Sequence, residues 1–151
     1  MGMKKTRVLF ICNHNSARSQ MAEAFLNTMA GDRFEAESAG FDVRELNPLA
    51  VAVMKEIGID ISGNKSKEIF DLYRHGRSFS YEIKVCDRVI EERCPLFPGM
   101  VKRIAWSFTD PATLVGSEKE KLTAIRLIRD EIKSAVSDFI ASEAQQIESR
   151  R

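Results

Sequence analysis

The segment from Val8 to Met29 constrains the fold more than any other part of the chain. Val8–Ile11 is a continuous apolar run typical of a buried strand, and the next apolar residues recur at helical spacing, at Ala22, Phe25, Leu26 and Met29. A polar stretch separates the two patterns. The order strand, loop, helix predicts the start of an α/β domain, in which helices cover a parallel sheet.

The remaining sequence continues this alternation. From alternating or apolar patterns, further strands are predicted at Phe34–Gly40, Tyr81–Val85 and Arg103–Phe108. From helix caps and apolar spacing, further helices are predicted from Pro48 to Gly58, near Lys67–Tyr73, and from Ser117 to about Ala144. We therefore expect an α/β fold: a single three-layer domain over residues 1–151, with a four-stranded parallel sheet and helices on both faces. Its core should run from about residue 5 to 144, followed by a polar C-terminal tail.

The charge of the chain is balanced, with 23 basic and 22 acidic residues. This balance gives no global field for nucleic acid or for a membrane surface, so neither is expected as a partner. At the N-terminus, Met3–Thr6 leads directly into an apolar run that is too short to direct export or to span a membrane. We expect a cytoplasmic protein, in which cysteines serve chemistry more often than structural disulfides.

Cys12 and Arg18 lie at the two ends of the polar stretch. A loop of this length can direct successive backbone N–H groups at an anion bound at the positive end of the helix. The residues expected to bind the anion or orient the loop are Asn13, His14, Asn15, Ser16, Ala17, Arg18 and Ser19. Arg18 can hold two oxygens of a tetrahedral oxyanion, and the same positive field lowers the pKa of the Cys12 thiol, which favours a thiolate nucleophile. The alternative is a buried cysteine at the end of a strand and a solvated arginine.

Asp110, Cys86 and Cys94 are further candidates for chemistry. Asp110 and Cys86 each follow a predicted strand, so a parallel sheet would bring them to the edge that carries Cys12. Cys94 lies in a segment that Pro95 and Pro98 should keep irregular. From the residues alone, Asp110 is either a general acid or a turn-forming aspartate, and the two cysteines are either reactive or incidental thiols. Their spacing is a poor match to a zinc site, so no metal is expected. A thiol activated by a helix terminus needs no base, so His14 is given no catalytic role.

The segment Val8–Ala24 resembles the active-site segment of thioredoxin-coupled arsenate reductases, which share the fold of low-molecular-weight protein tyrosine phosphatases. The resemblance continues through Ser38–Gly40, Asn47 with Pro48, the cysteine pair and Trp106–Pro111, and so covers nearly the whole domain. It implies a phosphatase-like fold and the reduction of arsenate to arsenite.

The resemblance also implies a relay of three thiols. Cys12 would attack arsenate while Asp110 protonates the departing hydroxyl. Cys86 would attack the Cys12 adduct and release arsenite, and Cys94 would then displace Cys12, leaving a Cys86–Cys94 disulfide for thioredoxin to reduce. Thioredoxin would be an external reductant, with no bound cofactor and with phosphate as a competitor of arsenate. We expect a monomer.

Two alternatives to arsenate reduction stay open. A low-molecular-weight tyrosine phosphatase would use the same loop and Asp110, but it would need neither Cys86 nor Cys94. Such phosphatases usually carry a second loop cysteine and a tyrosine at the positions of Ala17 and Ala112. The other alternative is a protein without catalysis that senses oxyanions or redox state.

The resemblance extends to a potassium site that some members carry. The matching positions are Asn15, Glu23 and Ser38, but Lys67 stands where those members have an aspartate. An ammonium group at that place could substitute for the cation, so no potassium requirement is expected. Asn15 and Ser19 are instead expected to orient the loop and the thiolate by hydrogen bonds.

Overall fold

The computed structural model describes residues 4–85 and 95–149. The strands are β1 (Thr6–Cys12), β2 (Phe34–Gly40), β3 (Tyr81–Lys84) and β4 (Lys102–Ala105). The helices are α1 (Arg18–Ala30), α2 (Pro48–Lys55), α3 (Ile69–Arg74) and α4 (Glu118–Ser149), with a short 3-10 helix at Pro111–Thr113. Within the described ranges, no helix is long and apolar enough to cross a membrane.

The four strands form one parallel sheet in the order β2-β1-β3-β4. The first strand therefore lies between two neighbours, and its last residue, Cys12, pairs with Gly40 at the end of β2. On the other side Ile11 pairs with Lys84. Because the strands are parallel, their carboxyl ends meet at one edge of the sheet, where ligands bind in folds of this kind.

Alternating side chains of the strands bury themselves against helices on opposite faces. On one face Val8 and Phe10 pack with apolar residues of α1, α2 and α4. On the other face Leu9 and Ile11 pack with Ile69 of α3, together with Phe79 and Phe97. The predicted four-stranded parallel sheet with helices on both faces is confirmed.

Two predicted element bounds were wrong for physical reasons. The strand expected at Arg103–Phe108 ends at Ala105, the residue that pairs with Lys84 at the end of β3, and the Trp106 N–H still donates to the Lys84 carbonyl at 2.7 Å. The last helix was expected to fray after about Ala144 but continues to Ser149. The sequence Glu-Ala-Gln-Gln at 143–146 contains good helix formers and no glycine or proline to end the helix.

Smaller shifts affect two other helices. The second helix was expected to reach Gly58 but ends at Lys55, and the chain then turns through Gly58 at a φ of +82°. The short third helix begins at Ile69 rather than near Lys67. The backbone of 67–68 is extended alongside the end of β2 instead, where Gly40 bridges to Glu68.

Candidate active site

Cys12, Arg18 and Asp110 meet at the carboxyl edge of the sheet. Cys12 ends β1 and Arg18 begins α1, while Asp110 directly precedes the 3-10 helix. They share a cavity of about 20 Å³, which is lined by Cys12, His14, Ser16, Ala17, Arg18, Asn47, Asp110, Pro111 and Ala112. The structure therefore places the predicted nucleophile, cation and acid in one small cavity, which we call the active-site cavity.

Arg18 is held by the chain segment that also carries Asp110. Its Nη1 donates a hydrogen bond to the Phe108 carbonyl at 3.1 Å, and its Nη2 lies 3.6 Å from Asp110 Oδ1. The side chain is only 7% exposed, so the alternative of a solvated arginine is wrong. Among residues 4–85 and 95–149, these are the two contacts of the guanidinium, whose five N–H donors suit a tetrahedral oxyanion.

The N-terminus of α1 also faces this loop. Its cap position is Ala17, which has no side chain able to accept from the first N–H groups of the helix. The first N–H groups of a helix have no partner within the helix and carry a partial positive charge. An oxyanion in the cavity would lie next to these groups.

Asp110 caps the 3-10 helix and pairs with Arg18 at the same time. Its Oδ1 accepts from the Ala112 N–H at 2.9 Å, and its carbonyl accepts from the Thr113 hydroxyl at 2.7 Å, so it caps the 3-10 helix. The ion pair with Arg18 uses the same Oδ1. Both of these contacts are made by Oδ1 and not by the other carboxylate oxygen, Oδ2.

The segment of residues 41–47, which we call the strap, lies against the loop and fixes its peptide planes. The N–H groups of Asp42, Arg44 and Asn47 donate to the carbonyls of loop residues 13, 14 and 16, at 2.8, 3.0 and 2.9 Å. The carbonyl groups of these three loop residues are therefore hydrogen-bonded to the strap. The strap was not foreseen from the sequence, because backbone hydrogen bonds between distant segments leave no mark on residue type.

Asn15 is the buried centre of the loop. It has a φ of +50°, in the left-handed region that asparagine tolerates better than most residues, and it is fully buried. Its Nδ2 donates to Ser19 Oγ at 2.8 Å. Its Oδ1 accepts from the Lys67 N–H at 2.9 Å and from Gln20 Nε2 at 3.0 Å. This network holds Asn15 and Ser19 together inside the loop, and the expectation that they orient the loop and the thiolate stays a prediction.

Gln20 and Ser66 are loop-supporting residues that sequence reasoning missed. Gln20 is fully buried, and its Nε2 also reaches the carbonyls of Asn15 and Lys65, both at 3.2 Å. The Ser66 hydroxyl donates to the Asn15 carbonyl at 3.0 Å. For Gln20 a signal was present, since a glutamine beside the buried start of a helix needs polar partners.

Behind the loop, Glu23, Ser38 and Lys67 form a polar cluster. The Ser38 hydroxyl donates to Glu23 Oε1 at 3.1 Å, and Lys67 Nζ lies 3.5 Å from the same oxygen. Burial raises the pKa of Glu23, although Lys67 and the Ser38 hydroxyl act in the opposite direction. An ammonium group thus lies beside the carboxylate, at the positions compared above with a potassium site.

The predicted relay cysteines, Cys86 and Cys94, lie outside the described residues. The described chain leads up to them at Val85, whose N–H donates to the Ile11 carbonyl at 3.0 Å. Val85 therefore lies beside the end of β1, next to Cys12.

In this parallel sheet, β1 ends at Cys12, a five-residue loop follows, and α1 begins at Arg18. Residues 7–149 match the model of the low molecular weight phosphotyrosine protein phosphatase family, and the chain belongs to that family. The predicted phosphatase-like fold is confirmed.

Individual relatives carry more specific names. An arsenate reductase of Bacillus subtilis is 39% identical over 137 residues, which cover 91% of this chain and 96% of the relative. A solved structure of an arsenate reductase in the phosphate binding state has a TM-score of 0.76 and 30% identity, covering 91% of this chain and 98% of that one. The thioredoxin-dependent arsenate reductase of Corynebacterium glutamicum has a TM-score of 0.69 and 30% identity, covering 97% of this chain and 65% of that one. The resemblance to arsenate reductases is therefore confirmed.

Proposed function

We propose that this protein reduces arsenate to arsenite, with Cys12 as the nucleophile. The observation that carries the proposal is the meeting of Cys12, Arg18 and Asp110 in one small cavity, in a chain whose relatives are named arsenate reductases. A thiol, a fixed guanidinium and a carboxyl group are the parts needed to bind a tetrahedral oxyanion, attack its centre and protonate an oxygen that leaves.

The cavity favours a compact inorganic oxyanion. Its volume of about 20 Å³ is small, and the residues beside the loop arginine and after Pro111 are alanines, Ala17 and Ala112. Arg18 and the uncapped N-terminus of α1 supply N–H donors and positive potential. Phosphate has the same shape and charge as arsenate, so it is expected to compete for the site.

In the first step the Cys12 thiolate attacks arsenic. A sulfur–arsenic bond forms and an arsenic–oxygen bond breaks, and Asp110 transfers a proton from Oδ2 so that the oxygen departs as water. The formal oxidation state of arsenic does not change in this step. The positive field of Arg18 and α1 stabilises both the thiolate and the charge that develops on the oxyanion.

In the second step Cys86 supplies the other reducing thiol. Its sulfur attacks Cys12 Sγ, the sulfur–arsenic bond breaks, and the bonding pair stays on arsenic, which leaves as arsenite. Two electrons have then passed from two thiols to arsenic, and a Cys12–Cys86 disulfide remains. The position of Val85 beside the end of β1 supports this pairing, since Cys86 follows it directly.

In the last steps Cys94 attacks Cys86 Sγ and releases the Cys12 thiolate. The resulting Cys86–Cys94 disulfide is reduced by an external dithiol, for which thioredoxin is the proposed donor, and the protein needs no bound cofactor. A neighbour of 30% identity is named as thioredoxin-dependent, which supports this choice.

The test is arsenate-dependent consumption of NADPH in the presence of thioredoxin and thioredoxin reductase. The wild type is expected to turn over, and Cys12→Ser, Cys86→Ser and Cys94→Ser are each expected to abolish turnover. Turnover that survives in Cys86→Ser or Cys94→Ser would show that the relay is wrong. Absence of turnover in the wild type would reject arsenate reduction with this reductant.

Phosphate ester hydrolysis is a second candidate activity, favoured by the family to which the chain belongs. It would use Cys12, Arg18 and Asp110 but neither of the other cysteines. Hydrolysis of p-nitrophenyl phosphate should therefore be lost in Cys12→Ser and retained in Cys86→Ser. If hydrolysis is efficient while arsenate turnover is absent, the protein is a phosphatase.

A further inference from the structure

Both contacts that hold the Arg18 guanidinium in the described part of the chain lie on one segment, residues 106–110. Nη1 donates to the Phe108 carbonyl at 3.1 Å, and Nη2 lies 3.6 Å from Asp110 Oδ1. The described pairing of β3 with β4 ends at Ala105, so this segment follows the sheet without being a strand of it. The place of the guanidinium relative to Cys12 therefore depends on how the segment is held.

Trp106, the first residue of this segment, contacts the strand that ends at the nucleophile. Its ring centroid lies 5.9 Å from that of Phe10, which is fully buried on β1 two residues before Cys12. Its N–H donates to the carbonyl of Lys84, the last residue of β3, at 2.7 Å. Trp106 is thus fixed against two strands whose carboxyl ends lie at the edge that carries the active-site cavity.

The Trp106 ring also contacts the next part of the segment and the last helix. Its centroid lies 6.3 Å from that of Phe108, at an interplanar angle of 75°, and 6.4 Å from that of Phe139 on α4. Trp106 and Phe108 both pack on the core face that contains Phe10, while the residues at 107 and 109 are exposed. Edge-to-face aromatic pairs favour a defined orientation, so this packing fixes the direction of the segment as well as its burial.

We propose that Trp106 is a positioning residue, which sets the place of Arg18 and Asp110 relative to the Cys12 thiol. One aromatic side chain contacts both the strand of the nucleophile and the segment that anchors the guanidinium and carries the acid. The inference rests on the proposed function, because it concerns the same three groups. It adds to that function a residue that does not line the cavity.

A purely structural role for Trp106 is the alternative, since any large core side chain contributes to stability. The chain offers a matched control in Phe34, whose ring packs on the same residue of α4, Phe139, at 5.5 Å. Phe34 is buried at the start of the seven-residue strand β2, at the opposite end from Gly40 and about 20 Å from it along the strand. Loss of the Phe34 ring should cost stability without moving the cavity.

The test compares Trp106→Leu, Trp106→Phe and Phe34→Leu with the wild type. The rate of arsenite formation in a single turnover of reduced protein reports on the chemistry. Calorimetric titration with sulfate, in a Cys12→Ser background, reports on the place of Arg18. Urea unfolding checks that each variant is folded.

Trp106→Leu is expected to lower the single-turnover rate about tenfold or more and to weaken sulfate binding, because a misplacement of about 1 Å can cost about a hundredfold in rate. Trp106→Phe keeps an aromatic ring at this position and is expected to stay within about threefold of the wild type in both measurements. Phe34→Leu should lower the midpoint of urea unfolding and leave the rate and the sulfate affinity unchanged.

A double-mutant cycle with Asp110 adds a readout that a structural role would not move. If Trp106 acts by placing Asp110, little remains to be misplaced once the carboxyl group is gone. Trp106→Leu should then lower the rate by about threefold or less in an Asp110→Asn background. Independent effects multiply, so an equal loss in both backgrounds would overturn the inference.

The remaining outcomes separate this inference from the proposed function. Equal effects of Trp106→Leu and Phe34→Leu on rate and on sulfate affinity would show that Trp106 only stabilises the fold, and would overturn the inference. A wild type that forms no arsenite would reject arsenate reduction. If sulfate binding then still weakens in Trp106→Leu and not in Phe34→Leu, Trp106 is retained as the residue that positions Arg18.

Discussion

Gly40 ends β2 where the strand passes directly beneath the loop. A Cβ added there would lie 2.7 Å from the Asn13 carbonyl oxygen and 2.9 Å from the Asn15 backbone nitrogen. Both neighbours are backbone atoms, so they cannot swing aside. Gly40 is itself held on both sides, by its pairing with Cys12 and by its N–H, which donates to the Lys67 carbonyl at 2.9 Å.

Gly40→Ala should therefore displace the loop. An ordinary contact between carbon and a carbonyl oxygen is about 3.3 Å, so the loop or the strand must move by about 0.5 Å. Overpacking of this kind costs about 1–3 kcal/mol of unfolding free energy. Since a misplacement of about 1 Å can cost a hundredfold in rate, a shift of half that size should lower kcat/KM for arsenate about tenfold.

The assay combines urea unfolding with arsenate-dependent NADPH consumption. Gly63→Ala is the matched control, because a Cβ at Gly63 would meet nothing within 4 Å. If Gly40→Ala matches Gly63→Ala in both unfolding free energy and kcat/KM, the close approach of β2 to the loop does not position the site, and the reasoning is refuted.

Three other changes test the remaining parts of the site. Asp110→Asn should lower the rate of arsenate reduction about 10²–10⁴-fold while sulfate affinity stays within a few-fold, as expected for loss of a general acid; equal rates would remove Asp110 from the chemistry. Because Lys67 Nζ lies 3.5 Å from Glu23, reduction rates at equal ionic strength should be the same in sodium and potassium chloride, and a rate increase specific to potassium would contradict this. The raised pKa of Glu23 means that its contribution to stability is present at low pH and is lost as pH rises through that pKa. The unfolding free energy of the wild type, measured in urea relative to that of Glu23→Gln, should therefore decrease as the pH is raised from about 4 to about 8. An increase would show that the pairing with Lys67 outweighs burial.

Much of the fold follows from local patterns in the sequence. The second strand was predicted with the bounds it has, Phe34–Gly40, and Asn47 caps the second helix through its bond to the Leu49 N–H at 2.9 Å. These features depend on residues close together in sequence. The end of β4 could not be predicted in the same way, because it depends on where the neighbouring strand β3 stops.

The same distinction applies to the candidate site, where local sequence patterns identify some residues but not the contacts between distant segments. Cys12, Arg18 and Asp110 could be selected as candidate site residues from the sequence. Their residue types suit the chemistry, and each lies at the end of a strand or at the start of a helix. The strap and the support of Asn15 by Gln20 could not, since they are hydrogen bonds to backbone or amide groups across long sequence separations. Such contacts depend on the packed fold and have no local signature.

We propose that thiols of this chain provide the two electrons that reduce arsenate. Single-turnover reaction of fully reduced protein with arsenate, without thioredoxin, tests it most directly by measuring arsenite together with disulfides mapped by peptide mass. The proposed relay should yield about one arsenite per protein molecule and a Cys86–Cys94 disulfide in the wild type, and a trapped Cys12–Cys86 disulfide in Cys94→Ser. Unchanged thiols and no arsenite after incubation with arsenate would contradict it.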